Sequence, residues 1–314
     1  MTSLALPADM RAYVGTTRDP ELRRLPVPVP GTGEVLVRVE AFSVNRGELS
    51  LLARRPEGWR PGQDLAGRVV AAADDGRGPA VGTAVAAMVD FAGWAEYAVV
   101  PLDRLAPVPA GVDLGAAATL GVAGLTALRA LRRGGPLLGK RVLVTGASGG
   151  VGTFAVQLAA AAGARVTALT GTRRSVDLAA LGARHTVTSL AEVTDDEFDL
   201  VLESVGGPVL LAALGLTAPL GHLVLLGTSS RESAEVSISS FRAHVRQTLH
   251  PFWVFGSGEP VGEDLGVLLD QIAAGRLAPV VGWRGSWELL PKAVHALRER
   301  EVAGKAVLTV ESGV

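Results

Sequence analysis

The spacing of apolar and polar residues changes character near residue 110. Before it, short apolar runs such as 34–42 (EVLVRVEAF) and 65–73 (LAGRVVAAA) are separated by clusters of proline and glycine, a pattern typical of β-strands and turns. From about Val112 onwards, apolar runs of strand length alternate with longer segments of helical spacing. The pattern predicts a small all-β, barrel-like module followed by an α/β module.

The α/β module repeats strand and helix in order. After a predicted helix with a glycine-rich interruption at 114–131, the segments 141–146 and 164–170 are predicted strands, and 151–163 and 173–182 are predicted helices. The strands are apolar without a period of two, as expected when helices cover both faces of a parallel sheet. We therefore predict an α/β fold with a doubly wound parallel sheet.

The end of the chain departs from this alternation. Two predicted helices at 263–275 and 288–301 lead to a last predicted strand, 304–310 (GKAVLTV), which needs a partner sheet. The N-terminal β-module can supply that partner, which would make its domain discontinuous. We predict one domain from residues 1–112 and 257–314, and a second domain from residues 113–256.

Composition narrows the classes of function. The 314 residues carry 30 Lys and Arg and 31 Asp and Glu, a net charge of −1 that does not favour a nucleic-acid partner. The absence of cysteine excludes disulfides, thiolate zinc sites and a cysteine nucleophile. The N-terminus lacks a basic signal region, and glycine and proline interrupt the most apolar stretch, 208–227. We therefore expect a cytoplasmic protein without a membrane span.

Two catalytic motifs overlap in the segment RVLVTGASGGVG, 141–152. Gly146–Gly150 matches G-x-S-x-G, the nucleophile turn of α/β-hydrolases, whereas Ala147–Gly152 is a variant of the dinucleotide-binding loop. No histidine precedes His185, so the His-Gly-Gly oxyanion loop of hydrolases is missing. The order and spacing of the first strand, the loop, the helix and the second strand match those of a dinucleotide-binding site. We therefore interpret Ser148 as a small residue of a phosphate-binding loop.

The end of the second strand indicates which cofactor binds. NAD sites usually place an acidic residue here, but this segment reads Thr170, Gly171, Thr172, Arg173 and Arg174. Threonine hydroxyls and a guanidinium suit a 2′-phosphate, because arginine donates bidentately to phosphate. The alternative is that both arginines are solvated in the first turn of a helix. We predict NADPH.

Taken together, these segments resemble the medium-chain dehydrogenase/reductase superfamily, and specifically its zinc-independent quinone oxidoreductase (zeta-crystallin-like) and enoyl-reductase branch. The stretches that carry the resemblance run in family order and cover nearly all of the chain; they are 43–49 (SVNRGEL), 61–70 (PGQDLAGRVV), 81–101, 120–128 (LGVAGLTAL), 142–152 (VLVTGASGGVG), 198–207 (FDLVLESVGG), 221–228 (GHLVLLGT) and 304–310.

The resemblance implies an architecture and partners. It implies a GroES-like β-barrel catalytic domain around a Rossmann domain, with the active site between them, NADPH as hydride donor and a homodimer. The zinc-dependent branch carries cysteines and a Gly-His-Glu element, whereas the matching stretch here is Gly62-Gln63-Asp64. We therefore expect no catalytic metal.

The resemblance also implies site residues. Asn45 would face the nicotinamide and the substrate, and Thr126 would hold the nicotinamide end. The implied cofactor contacts are Ser148, Gly149, Gly150, Val151 and Gly152 at the pyrophosphate, Thr170, Thr172, Arg173 and Arg174 at the adenosine phosphate, Ser204, Val205, Gly227 and Thr228 after later strands, Phe252 and Trp253 near the nicotinamide, and Lys305 at the cofactor phosphates. Each has a plainer alternative: Asn45 can satisfy turn backbone groups, and Thr126 can bond back to a helix carbonyl.

One departure leaves the reaction open. Many relatives carry a tyrosine before the Pro-Gly element, but this segment, 51–64, has Trp59 and no tyrosine. We expect hydride transfer to a quinone or to the activated C=C of an enone, with the developing charge on the substrate oxygen stabilised by a donor such as the Asn45 amide. The alternatives are an enoyl-thioester reductase of biosynthesis, for which Arg54, Arg55 and Arg60 could line a channel, and a non-catalytic NADPH-binding protein.

Overall fold

The computed structural model describes residues 6–16, 19–173, 175–193, 197–241 and 246–311. The chain forms two compact units. The first unit consists of two stretches of the chain, one up to Val122 and one from Glu259 onwards. The second unit is Ala123–Gly258. The described residues include no helix with both the length and the apolar character needed to cross a membrane.

The strands and helices follow one another in the order expected from the apolar pattern. The strands are β1 (Asp9–Val14), β2 (Glu21–Pro26), β3 (Glu34–Val44), β4 (Asp64–Ala71), β5 (Ala84–Met88), β6 (Tyr97–Pro101), β7 (Leu105–Pro107), β8 (Arg141–Thr145), β9 (Arg165–Leu169), β10 (His185–Val187), β11 (Phe198–Glu203), β12 (Thr217–Leu225), β13 (Thr248–Pro251), β14 (Val281–Ser286) and β15 (Lys305–Thr309). The helices are α1 (Arg46–Leu52), α2 (Leu114–Ala117), α3 (Leu125–Arg132), α4 (Gly150–Ala161), α5 (Gly207–Gly215), α6 (Val261–Ala273) and α7 (Leu290–Arg298).

The first unit is built around the long strand β3. It pairs with β4, with β6 and with β15, all antiparallel, in a sheet ordered β14-β15-β3-β4-β5-β7. The last strand therefore joins the N-terminal β-module, as predicted, and places Ala306 opposite Val44 and Val307 opposite Ser43. This register brings the start of β15 beside the end of β3.

Aromatic side chains fill the core of the first unit. Phe42 stacks on Trp94 with ring centroids 5.8 Å apart, and Trp287 meets both Phe42 and Tyr13 edge-on. These residues are almost fully buried and belong to one apolar cluster. Aromatic burial of this kind supplies much of the driving force for folding, because each ring removes a large apolar area from water.

The second unit contains, among its described strands, a six-stranded parallel sheet ordered β10-β9-β8-β11-β12-β13. The chain starts in the middle with β8, moves outwards to β10 and then returns to β11, which confirms the doubly wound sheet. In such sheets the ligand site lies at the carboxyl ends of the strands, where the winding direction reverses. Here that point lies between β8 and β11, whose residues Val142 and Leu200 are register partners.

One predicted helix is absent from the structure, and one predicted interruption is confirmed. The helix predicted at 173–182 is wrong, because its described residues form turns: the Ala180 N–H bonds to the Asp177 side chain at 2.9 Å, and Gly182 has a φ of 101°. Aspartate favours such local turns over a helix interior. The glycine-rich interruption within 114–131 is confirmed, since a short π-helix, Leu120–Gly124, separates α2 from α3.

Candidate active site

The turn between β8 and α4 has no room for side chains at two of its glycines. Gly146 has a φ of 62°, and a Cβ atom there would lie 2.7 Å from the Ser204 hydroxyl. A Cβ atom on Gly152 would lie 2.4 Å from the Gly146 carbonyl oxygen. Only glycine fits both positions, so the strand and the helix meet closely and the backbone of the turn is bare.

The start of α4 presents backbone N–H donors for which the described residues supply no side-chain cap. Its N-cap residue, Gly149, provides no side-chain cap, and the first N–H groups of a helix have no intrahelical partner. Beside it, the Ser148 hydroxyl is 1% exposed and has no hydrogen-bond partner among the described residues. A helix N-terminus with free N–H groups and a bare backbone binds anions well. The residues present therefore fit the pyrophosphate of a dinucleotide.

The carboxyl ends of β8 and β11 are tied together beside this turn. The Ser204 N–H donates to the Thr145 hydroxyl at 3.0 Å, and the Ser204 hydroxyl donates to the Thr145 carbonyl at 3.0 Å. Glu203 is buried and accepts from the N–H groups of Val205 and Gly206 at 2.7 and 3.0 Å. Burial raises the pKa of Glu203 above its usual range. These bonds fix the loop that carries Ser204 and Val205.

The end of β12 meets the same loop. The Ser229 N–H donates to the Ser204 carbonyl at 3.1 Å, and a Cβ atom on Gly206 would lie 3.2 Å from Thr228. Gly227 lies nearby, facing the Ser204 carbonyl. The structure thus brings the predicted residues after β11 and β12 to one edge of the sheet.

The end of β9 lies beside the glycine turn. The Ala147 N–H donates to the Leu169 carbonyl at 2.9 Å, which joins the turn to the last residue of β9. Thr172 and Arg173 follow on the surface, both exposed, and Thr170 is half-buried. The predicted Arg174 lies outside the described residues. The segment thus presents hydroxyls and a guanidinium, without an acid, next to the turn.

The remaining predicted residues of the second unit are more scattered. Thr126 is buried as the second residue of α3. The Phe252 N–H donates to the Leu225 carbonyl, which places Phe252 just beyond β12, and its ring lies 5.7 Å from the Arg133 guanidinium. Trp253 is 71% exposed, so it lies on the surface of the described structure.

The first unit holds a buried polar cluster that consists of Ser43, Asn45, Glu48, Asp64 and Lys305. The Asn45 amide is at its centre: its Nδ2 donates to Asp64 at 2.9 Å and to Glu48 at 3.3 Å, and its Oδ1 accepts from the Lys305 ammonium. The amide nitrogen therefore has carboxyl oxygens of two acidic residues as acceptors. The resemblance implies that this amide stabilises a substrate oxygen. In this arrangement both of its ends are already engaged, so it is not free to do so.

Lys305 has partners that differ from the predicted ones. Its ammonium is 3.1 Å from Asp64, with the two side chains 2% and 0% exposed, and it also donates to Asn45. A buried cation needs such an opposite charge, because burial without a partner is costly. The contact expected between Lys305 and the cofactor phosphates does not fit this position. Lys305 belongs instead to the buried polar cluster.

The two acidic side chains of the cluster accept hydrogen bonds from backbone groups as well as from side chains. Glu48 accepts from the N–H groups of Asn45 and Gln63, both at 2.8 Å, and Asp64 accepts from the Val122 N–H at 2.7 Å. Burial, with Asp64 close by, raises the pKa of Glu48 to about 8. Sequence reasoning missed Asp64; its one signal is an acidic residue at the start of a predominantly apolar strand.

Tyr13 is not a ready proton donor. Tyr13 is buried in the core and donates from its hydroxyl to the Trp287 carbonyl at 3.0 Å. Burial, assisted by Glu288, raises the pKa of Tyr13 to about 12. Tyr97 is half-buried on β6. The absence of a tyrosine from 51–64 is thus not compensated by Tyr13.

Comparison with known proteins shows the family. Residues 31–110 match the family model of the alcohol dehydrogenase GroES-like domain, and residues 150–261 match that of the zinc-binding dehydrogenases. Prostaglandin reductase-3 of Bos taurus is 35% identical over 262 residues, which cover 76% of this chain and 69% of that protein. The chain belongs to the medium-chain dehydrogenase/reductase superfamily. Within it, the chain falls in the zinc-independent quinone oxidoreductase branch, with a GroES-like domain and a Rossmann domain.

Two further relatives extend the comparison over more of the chain. Human quinone oxidoreductase is 27% identical over 276 residues, 79% of this chain and 83% of that protein. A solved structure of a mycobacterial protein complexed with NADPH has a TM-score of 0.86 at 25% identity and covers 96% of this chain and 99% of that one. As a member of this superfamily, the chain is an oxidoreductase that uses a nicotinamide cofactor.

Zinc is named in the description of one matching family model, but the residues present do not fit it. The chain has no cysteine, and the described residues contain no group of three or more His, Asp or Glu placed to hold a metal ion. At the position of the Gly-His-Glu element of zinc-dependent relatives, Asp64 is already bonded to Lys305, Asn45 and Ser43. We derive no step through zinc.

Proposed function

We propose that this oxidoreductase is an NADPH-dependent, zinc-free reductase that transfers a hydride to a quinone or to the activated C=C bond of an enone. The observation that carries the proposal is the glycine turn at α4, with the partnerless Ser148 hydroxyl beside it. A buried hydroxyl without a partner is unfavourable, and a bound phosphate would satisfy it.

The preference for NADPH over NADH is argued from the end of β9. Thr170, Thr172 and the exposed Arg173 stand where NAD-dependent relatives carry an acid for the ribose. A carboxylate there would repel a 2′-phosphate, whereas a guanidinium attracts one and can donate two hydrogen bonds to it. The mycobacterial structure of similar fold is itself a complex with NADPH.

The proposed role of each residue follows from its position. The bound cofactor supplies the hydride. The glycine turn with Gly149, Gly150, Val151 and Gly152 would hold the pyrophosphate, and the loop fixed by Thr145 and Glu203 would present Ser204 and Val205 along the cofactor. Further contacts with the cofactor are proposed for Thr126, Gly227, Thr228, Phe252 and Trp253.

Asn45 is proposed to act through its position. The amide is held by Lys305, Asp64 and Glu48, so it fixes the end of β3 and the start of α1, and substrate contact would require one of these bonds to open. Because no tyrosine is available in 51–64, the proton added after hydride transfer is expected to come from water.

The substrate class is argued from the relatives. The curated relatives are named prostaglandin reductase-3 and quinone oxidoreductase, and quinones and enones share an electrophilic carbon conjugated to a carbonyl. A hydride added to that carbon leaves negative charge on the oxygen, which hydrogen-bond donors can stabilise. The homodimer implied by the resemblance stays a prediction.

The test is oxidation of NADPH by the purified protein with benzoquinone, phenanthrenequinone, cyclohexenone and crotonyl-CoA, each repeated with NADH. Turnover of quinones or free enones, with NADPH preferred, is the expected result. Turnover of crotonyl-CoA alone would replace the proposal with an enoyl-thioester reductase. NADPH binding without turnover of any compound would favour a non-catalytic role.

A further inference from the structure

Each residue of segment 59–63, which precedes Asp64, has a backbone group in a hydrogen bond. The carbonyl of Trp59 accepts from the Gly15 N–H at 2.7 Å, that of Arg60 from the Ala92 N–H at 3.0 Å, and that of Gly62 from the Gly93 N–H at 2.9 Å. The next residue, Gln63, bonds to Glu48 of the buried polar cluster. Arg60 therefore projects from a rigid backbone, a few residues from that cluster.

The guanidinium of Arg60 lacks the partners that its position demands. Its Nε and Nη2 atoms are shielded from water and have no hydrogen-bond partner among the described residues, although the residue as a whole is only half-buried. Burial lowers the pKa of Arg60, and a guanidinium still stays charged under all ordinary conditions. Nearly all buried polar groups in proteins are paired, so an exception calls for a ligand or an ordered water.

The two partnerless atoms point to the shape of that ligand. Nε–H and Nη2–H lie along the same edge of the planar guanidinium, and together they form the fork that accepts two oxygens of one anion side by side. A neutral carbonyl offers one oxygen and no charge, so it would satisfy only half of the fork. A carboxylate matches both the geometry and the charge.

We propose that Arg60 is a substrate-binding residue that recognises a carboxylate carried by the substrate, apart from its reducible C=C bond. The inference rests on the proposed reductase function, since it adds a feature to the same substrate. It defines the preferred substrate as an oxo-enoic acid, meaning an enone that also bears a carboxylate. Because both atoms are shielded from water, the Arg60 side chain has to shift to admit the carboxylate, whereas the backbone of segment 59–63 is already ordered by its hydrogen bonds.

The experiment compares 6-oxohept-4-enoate, whose carboxylate is separated from the C=C bond by methylene groups, with its methyl ester, as substrates of the wild type, Arg60→Ala and Arg60→Lys. The wild type is expected to prefer the acid in kcat/KM. In Arg60→Ala, kcat/KM for the acid should fall by about 10- to 100-fold, the range of a charged hydrogen-bonded pair, while that for the ester stays within about threefold. Arg60→Lys should recover part of the loss, because it restores the charge without the fork.

The matched control is Arg77→Ala, since Arg77 is a surface arginine of the same unit that is already paired with Asp75 at 2.6 Å. It should leave kcat/KM for both compounds unchanged. Equal loss for acid and ester in Arg60→Ala, or no preference for the acid in the wild type, would overturn the inference. A loss confined to crotonyl-CoA would also overturn it, in favour of a phosphate as the bound anion.

Two further readouts separate this inference from the proposed function. Binding of the saturated acid, 6-oxoheptanoate, and of its methyl ester can be followed by ligand-observed NMR, which needs no turnover; only the acid should lose binding in Arg60→Ala. If no enone is reduced, this measurement still decides the role of Arg60. Arg60→Met should raise the melting temperature of the ligand-free protein, because it removes a buried charge without a partner; a clear decrease would show that Arg60 has a structural partner and would contradict the inference.

Discussion

The buried polar cluster of the first unit and the glycine turn of the second unit both remove polar atoms from water, but they treat those atoms in opposite ways. In the cluster, Asn45, Asp64 and Lys305 satisfy one another. At the turn, the Ser148 hydroxyl and the start of α4 have donors without acceptors in the described chain. A self-satisfied network stabilises the fold, whereas an unsatisfied one is completed by a ligand. The comparison therefore separates a structural centre from a binding site.

The largest effect is expected from breaking the cluster. Lys305→Ala leaves the Asp64 carboxylate buried beside Glu48 without a counter-charge, so the free energy of unfolding should fall by about 3–5 kcal/mol. Urea denaturation measures it. Lys292→Ala, on the exposed face of α7, is the control and should change the free energy of unfolding by less than about 0.5 kcal/mol. A similarly small loss in Lys305→Ala would show that the cluster is not a structural centre.

The second prediction concerns the pH dependence of stability. The pKa of Glu48 is about 8 in the folded protein against an ordinary value of 4.5, so the folded state holds a proton that the unfolded state releases between these values. This stabilising contribution is complete below pH 4.5 and is lost as the pH rises through 8. The melting temperature should therefore fall across this window in the wild type and fall less in Glu48→Gln.

Glu263→Gln, at an exposed position of α6, serves as the control and should keep the pH profile of the wild type. A Glu48→Gln profile parallel to that of the wild type would mean that Glu48 is ionised throughout. The cluster would then carry two buried carboxylates against one ammonium. Its charges would not be balanced, which would contradict its role as a structural centre.

The third prediction concerns the cofactor site and its preference for NADPH over NADH. Arg173→Ala should weaken NADPH about 10- to 100-fold, since it removes a charged donor to the 2′-phosphate, and should change NADH affinity by no more than about threefold. Calorimetric titration gives both constants. Arg165→Ala, at the opposite end of β9, is the control and should alter neither. Equal weakening of NADPH and NADH in Arg173→Ala would contradict the assignment.

The smallest effect is expected at Ser148. Ser148→Ala removes a hydroxyl without a partner, so the free energy of unfolding should stay unchanged or rise by up to about 1 kcal/mol, while NADPH affinity falls about three- to tenfold. Ser204→Ala is the matched comparison, because its hydroxyl has a partner in Thr145; it should lose stability. Loss of all turnover in Ser148→Ala at saturating NADPH would revive the hydrolase interpretation of the motif.

The two regions also differ in how far the sequence predicts them. The glycine turn was predicted because its residues are consecutive and the strand, loop and helix pattern is local. The cluster was not predicted: Asn45 and Lys305 were named, but for contacts with the substrate and the cofactor. Asn45 and Lys305 are 260 positions apart, and they meet because β15 pairs with β3 in one particular register. Periodicity predicts that a strand forms, but not which residue of a distant strand lies opposite.

The two errors have similar physical origins. The helix predicted at 173–182 fails because side-chain bonds of Asp177 and a left-handed Gly182 favour turns, a local competition that apolar spacing does not reveal. Lys305 was assigned to the cofactor phosphates on the family resemblance of segment 304–310. Its burial beside Asp64 is a tertiary property, and the one trace of it in the sequence is a lone base at the start of an apolar strand.

The central claim, that the turn at α4 and the end of β9 form an NADPH site, is tested most directly by titrating the wild-type protein with NADPH and with NADH in a calorimeter. The account predicts saturable binding of NADPH with a dissociation constant at least about tenfold lower than that of NADH. Tighter binding of NADH, equal binding of the two, or no binding of either would contradict it.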